Sequence, residues 1–271
     1  MTKRLLISVT VVLCVASAAA AQFGRGFFRV SPHFPTEESF GHGFNFCRAI
    51  YTSVRREAGG QGWSTDYPNA DINLSIRLSE LTKMQVSLDG TESPEHLVIR
   101  LTDEALFNCP FVQMEDVGTL AFSEEEVSAL RTYLLKGGFL WVDDFWGTAA
   151  WESWVSELAR VLPPGEYPIS DLRADHAIFR TLFDVKEIPQ IPSIQFWRGS
   201  GGATSERGSE SAIPHMRGVS DHHGNLMVLM THDTDIADAW EREGEDPRFF
   251  YSFSPNGYTV GINVIVYAMS H

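Results

Sequence analysis

An α/β fold with a mostly parallel sheet is what this sequence predicts, and three observations predict it. Residues 121–147, AFSEEEVSALRTYLLKGGFLWVDDFWG, read as an amphipathic helix, a Gly-Gly turn, an apolar strand and two adjacent carboxylates. Residues 225–231, NLMVLMT, form a second continuous apolar run, as a strand covered on both faces requires. Between and around these runs, segments of helical period alternate with short apolar stretches. Alternation of this kind builds a three-layer α/β/α sandwich, with helices on both faces of the sheet.

The N-terminus has a different character. Lys3 and Arg4 precede an apolar run over residues 5–18, and Ala19-Ala20-Ala21 stands before Gln22. A positive start, an apolar centre and small residues before a cleavage point are the parts of a secretory signal peptide. Residues 1–21 are therefore read as a cleaved signal peptide, with an uncleaved membrane anchor as the alternative, and the expected location is periplasmic or secreted. Removing Lys3 and Arg4 makes the formal net charge of −14 two units more negative. So acidic a chain is repelled by nucleic acid and by anionic membrane surfaces. No other stretch is long and apolar enough to span a bilayer. Cys47 and Cys109 remain, either as one disulfide or as two buried thiols, and spacing alone leaves both open.

Residues 22–43 are rich in Gly, Phe and Pro without a period. They read as an extended arm packing Phe27, Phe28 and Phe34 onto a single domain over 44–271. Residues 45–54 are the first strand, and 55–69 a polar loop. In residues 70–83, Ile72, Ile76, Leu78 and Leu81 fall on one helical face. Short strands are expected at 85–88, 96–101 and 111–115. Ser123 with Glu126 makes a capping box, and Glu124-Glu125-Glu126 suits the positive end of the helix dipole. Gly137-Gly138 ends that helix, because glycine accepts the left-handed cap. Helices follow at 151–162, stopped by Pro163-Pro164, and at 175–183. Residues 193–197 read as a strand, 199–211 as a Gly/Ser loop, and 257–270 as a closing helix.

Several blocks carry a resemblance. They are Trp63-Ser64-Thr65-Asp66-Tyr67-Pro68, residues 133–147, Asp175-His176 with Ile178-Phe179, residues 187–192, the run THDTDIADAWERE at 231–243, and residues 261–271. Together the chain resembles the bacterial family called domain of unknown function 4159. The helix, Gly-Gly and strand pattern also resembles the class I glutamine amidotransferase-like (flavodoxin-like) fold. That resemblance implies a nucleophilic Cys in a tight strand-to-helix elbow, with a His and an acid downstream. The equivalent stretch here, Val142-Asp143-Asp144-Phe145-Trp146-Gly147, has no Cys, Ser or Thr. Thiolate glutamine hydrolysis is accordingly not expected.

The candidate site lies at the C-terminal edge of the sheet, where open α/β sheets bind ligands. Asp143 and Asp144 end one strand and point to opposite faces. The pair reads as a general base, a metal ligand or an acceptor for ligand hydroxyls, or else as a cap for a helix starting near Thr148. His232, Asp233 and Asp235 follow the run 225–231 and would converge on the same edge. Trp63, Asp66, Tyr67, Trp146 and Trp240 sit in loops; aromatics beside carboxylates suit sugar or peptide recognition, or simply close the core. Asp221-His222-His223 with His176 or His232 reads either as a divalent metal site or as a polar turn. Glu206 and Arg207 lie in a solvated loop or a lid. No metal motif of regular spacing and no cofactor signature is present.

The function expected is an exported, non-catalytic module binding an envelope protein or a sugar- or peptide-like ligand. The alternative is a hydrolase built on Asp143 or Asp144 with His232, with or without a divalent metal. No catalytic residue is assigned.

Overall fold

In the computed structural model, residues 31–41 and 43–271 are described. The expected signal peptide, and Phe27 and Phe28 of the arm, lie outside the described residues. Pro32–His271 form one compact unit. Nine strands are present among the described residues: β1 (Phe46–Ile50), β2 (Thr52–Ser53), β3 (His96–Arg100), β4 (Phe111–Glu115), β5 (Leu120–Ala121), β6 (Phe139–Asp143), β7 (Ser170–Asp171), β8 (His215–Ser220) and β9 (Leu226–His232). The helices are α1 (Asn69–Thr82), α2 (Glu124–Leu135), α3 (Gly147–Val161), α4 (Ile194–Gly199), α5 (Asp238–Glu241) and α6 (Pro247–Ser270).

Seven strands form one sheet in the order β3-β1-β4-β6-β9-β8-β7. The first five are parallel, and β8 and β7 add an antiparallel edge. Renumbered among themselves, the parallel strands run 2-1-3-4-5, a doubly wound order. Alternate strand residues serve two separate cores. Cys47, Ala49, Leu140 and Val142 pack with α2 and α3. Phe46, Phe111, Phe139 and Trp141 pack with α1 and α6. This is the period-two consequence of a pleated strand covered on both sides, and it makes three layers.

Local chemistry sets the boundaries. The Ser123–Glu126 capping box starts α2 as its spacing requires. Gly137, at φ +95°, ends the turn beyond it. Phe34 of the arm lies under the Arg100 guanidinium at 3.8 Å, and His33 accepts a hydrogen bond from the Val98 amide at 2.8 Å.

Several expected elements differ. Residues 193–197 are not a strand. Ser193 caps a short helix, α4, by accepting from the Phe196 amide. An N-cap serine outweighs the strand-like run that follows it. The helix expected at 175–183 is a single 3-10 turn, Ala177–Arg180. Residues 85–88 make only isolated bridges, Phe44 with Val86 and Leu88 with Pro94. Helix α3 begins at Gly147, before Trp151, and α6 begins ten residues before 257, capped by Asp246. Strand β8 was not anticipated. Its Arg217 and Gly218 hide the alternation, and it forms because the turn after it folds it back onto β9.

Cys47 of β1 and Cys109, just before β4, form a disulfide with their Cα atoms 6.2 Å apart. It links residues 62 apart in sequence. Closing so long a loop in the unfolded chain costs it conformational entropy and stabilises the fold by about 2–4 kcal/mol. The Cys47→Ala/Cys109→Ala variant is expected to lose about that much in urea denaturation. A loss below ~0.5 kcal/mol would show that the bridge constrains nothing.

Candidate functional site

In a doubly wound sheet the chain turns outward in both directions from the switch point, and a crevice opens there. Here the switch lies between β1 and β4. Loops after β2, β4, β6 and β9 meet above it and enclose a cavity of about 290 Å³. The wall is closed by Ser193 and Gln195 at the start of α4, by Glu206 and Arg207 from the 199–211 loop, and by Glu241 and Arg242 at the end of α5. Eight lining residues are acidic: Glu57, Asp66, Asp116, Asp144, Glu206, Asp235, Asp238 and Glu241. Only Arg207 and Arg242 carry positive charge.

The carboxylates are held by local backbone chemistry. Asp66, Asp116 and Asp144 all adopt left-handed φ values, +61°, +50° and +50°. Aspartate tolerates that region better than most residues. Asp144 stands where β6 turns into α3 and accepts a hydrogen bond from the Trp146 indole at 2.9 Å. Asp116 accepts from the Gly62 amide at 2.8 Å. Gly60 is required beside it, because a Cβ there would stand 2.3 Å from an Asp116 carboxylate oxygen. Asp235 accepts from the Asp238 amide at 3.0 Å.

Asp143 and Asp144 part ways, as adjacent strand residues must. Asp143 is fully buried. It accepts from the Ile236 and Ala237 amides at 2.8 and 3.1 Å and from the Thr231 hydroxyl. It is thus a cap, but for the turn after β9 and not for the helix near Thr148. The first amide of α3, Gly147, is capped instead by Asp233 at 2.7 Å. Two caps therefore cross between the β6 and β9 loops and lock them together. This exchange fixes where Asp144, Asp235 and Asp238 stand.

Burial raises these acids more than the nearby arginines lower them. Desolvation, with some relief from hydrogen bonds, lifts Asp143 to about 7. Desolvation lifts Asp116 to about 7 and, with Glu241 nearby, Asp238 to about 8. Asp66, Asp144, Asp235 and Glu115 are pushed well above the usual carboxylate range, first by desolvation and then by one another's charge. Concentrated perturbation of this kind in a cleft makes it a candidate functional site.

Beneath the cavity lies a polar row that the sequence reading missed. Arg48 of β1 is fully buried. Its Nε donates to both Asp71 oxygens at 3.1 Å, and its Nη1 donates to the Thr65 carbonyl at 3.0 Å. Its Nη2 lies 3.8 Å from Glu115. Burial alone would lower the Arg48 pKa, but the Asp71 carboxylate beside it carries it above its ordinary value. Parallel register pairs Arg48 with Gln113, and Glu115 with Asp143. The signal was a charged or amide residue at alternate positions of otherwise apolar strands, FCRAI and FVQME.

Other anticipated residues go elsewhere. His232 and Asp233 do not line the cavity. His232 packs against Phe145 and Trp151, accepts from Arg217 and donates to the Gly147 carbonyl. Burial lowers its pKa to about 4, so the 3.3 Å approach to Asp233 is a polar contact with a neutral ring. Trp240 is a core residue, stacked on Tyr258. Trp63 packs on Tyr67, whose hydroxyl accepts from the His33 amide. Of the aromatic set, Trp146 lines the cavity. Asp221 closes the 221–225 turn by accepting from the His223 and Asn225 amides. His176 caps the Ala177–Arg180 turn. Glu206 and Arg207 form part of the cavity wall, tied to the Ser193 amide and the Ala58 carbonyl.

Among the described residues, two groups of acids bring ligand oxygens within 4.8 Å of one another: Asp66, Asp235 and Asp238, and Glu115, Asp143 and Asp235. No helix among them is long and apolar enough to cross a membrane.

A family model described as a domain of unknown function, DUF4159, matches residues 50–269. The chain belongs to the DUF4159 family. The DUF4159 match spans β2 to β9 and so includes every loop that lines the cavity. A comparison with curated proteins found no match.

Proposed function

We propose that this protein is an exported, non-catalytic binding module with a glutamine amidotransferase-like fold, and that its sheet-edge cavity takes a small polar ligand. The observation that carries the reading is the cavity lining: eight acids against two arginines, at the switch point of a doubly wound sheet. Acceptors so arranged suit a ligand rich in hydroxyl or ammonium donors, such as an amino sugar or a peptide amine. Asp144 supports the fold assignment. It occupies the left-handed strand-to-helix turn where an amidotransferase-like chain carries its Cys. Cys109 is tied up in the disulfide, which itself favours an oxidising compartment and supports export.

Hydrolysis is the second reading, favoured by the raised pKa of Asp144 inside the cavity. Its weakness is that His232 is oriented toward the Gly147 carbonyl and the Trp151 ring.

The test is a thermal-shift and calorimetric screen of the full chain against amino sugars, polyols and peptidoglycan fragments. A saturable ligand is expected, with affinity falling at least tenfold, about 1.4 kcal/mol, in Asp144→Asn. No ligand, or unchanged affinity in that variant, would refute the proposal. Turnover of a fragment that disappears in Asp144→Asn would replace binding with hydrolysis.

A further inference from the structure

The cavity is strongly acidic, yet its innermost acids have no counter-ion. Among the described residues, none of Asp66, Asp235 and Asp238 stands in an ion pair. Asp235 and Asp238 are buried. Their oxygens and one from Asp66 lie within 4.8 Å of one another. Two oxygens bound to one ion are separated by at most twice the metal–oxygen bond, about 4.8 Å for Ca²⁺ at ~2.4 Å. The spacing is therefore compatible with one shared ion of Ca²⁺ size, and a smaller ion would draw the three oxygens closer.

A second observation is independent of that spacing. Glu115, fully buried with a carboxylate oxygen within 4.8 Å of Asp235, has one carboxylate oxygen with no hydrogen-bond partner, and so does Asp66. A buried acceptor left without a partner costs about 1–3 kcal/mol, more when charged, so folded chains rarely leave one. Both atoms belong to groups that share Asp235. Arg48 approaches Glu115 at 3.8 Å through its other oxygen, so each group keeps one buried carboxylate oxygen without a partner.

We propose that Asp66, Asp235 and Asp238 bind a hard divalent cation, Ca²⁺, Mg²⁺ or Mn²⁺, at the floor of the cavity. The donor set is oxygen only, which suits these ions and not the softer Zn²⁺. Three carboxylates outweigh the ion's two charges, with Glu115 adding negative potential from below. The Asp143 oxygens are engaged by amides and a hydroxyl, so the outer group is the site and the inner group its support. The ion leaves coordination positions facing the cavity, where hydroxyls of a polar ligand would complete its shell. The inference rests on the reading of this cavity as a ligand site and names what would recognise that ligand's oxygens.

The test is calorimetric titration of the EDTA-treated full chain with Ca²⁺, Mg²⁺, Mn²⁺ and Zn²⁺, without organic ligand. Saturable one-to-one binding of a hard ion is expected, weakened at least tenfold in Asp235→Asn and in Asp238→Asn. Glu152→Gln, an exposed acid on α3, should bind as the parent does. Far-UV circular dichroism confirms that the variants fold, which relief of repulsion favours. No saturable binding, binding of Zn²⁺ alone, or parent-like affinity in both Asn variants would overturn the proposal. An ion bound with no organic ligand taken up would overturn the ligand reading and sustain this one. A ligand bound equally well in EDTA, with no ion taken up, would do the reverse.

Discussion

Arg48→Met is expected to destabilise the protein by about 3–5 kcal/mol, the usual cost of breaking a buried ion pair from one side. Methionine fills much of the arginine's volume, so the loss is electrostatic and not a cavity. It leaves the Asp71 carboxylate, fully buried, without its donor, and removes the positive charge nearest Glu115. It also frees the Thr65 carbonyl, which ties the 61–66 loop to β1. The site should therefore loosen with the fold. Urea denaturation measures the first effect. The double variant Arg48→Met/Asp71→Leu separates charge from packing, because removing both partners should recover most of the loss. A single-variant cost under ~1 kcal/mol would mean that the pair is solvated and does not organise the floor of the site.

In EDTA the protein should lose stability as pH rises from about 4 to 8. Asp116 and Asp143 have folded pKa values of about 7, and Asp238 about 8, against about 3.9 for aspartate in an unfolded chain. Over that window the folded chain keeps protons the unfolded chain has released, so each unit of pH favours unfolding. The contribution is fully present below about 4 and lost by about 8. His232 works the other way, since its folded pKa of about 4 lies below the unfolded value of 6.5. One histidine does not offset three aspartates. The net loss is at least about 5 kcal/mol, or roughly 10–20 °C in Tm for a chain of this size. Thermal melts at pH 5 and pH 8 check it. A Tm that is flat or rises across this interval would show that these acids ionise freely in the folded chain. Saturating Ca²⁺ or Mn²⁺ at pH 8 should restore part of the lost stability, the share carried by Asp238 and its neighbours at the cation site.

The strands and helices that pack by period were legible because their signal is local. The run 139–142, the Ser123–Glu126 box and the Gly137 turn each contain their own explanation. Short elements were not: α4 and the 177–180 turn hold too few residues for a period, so a single capping serine or histidine decided them. Of the site, Asp66, Asp144, Trp146 and Asp235 were legible as acids and an aromatic near strand ends. Asp116 and Asp238 were not, because nothing in a linear reading separates them from surface acids. Arg48 and Glu115 were visible only as interruptions inside apolar strands.

By itself the sequence determined the alternation of strands and helices, the acidic charge, and the absence of a nucleophile after β6. Those properties depend on neighbours within a few positions. The tertiary structure alone decided that Cys47 meets Cys109, that Asp143 caps the 236–237 turn while Asp233 caps Gly147, and that Asp66, Asp235 and Asp238 share one floor. Each of these joins residues tens to well over a hundred positions apart, except the close pair Asp235 and Asp238. The physical reason is the parallel sheet: its order and register place strand ends side by side that the chain itself keeps distant.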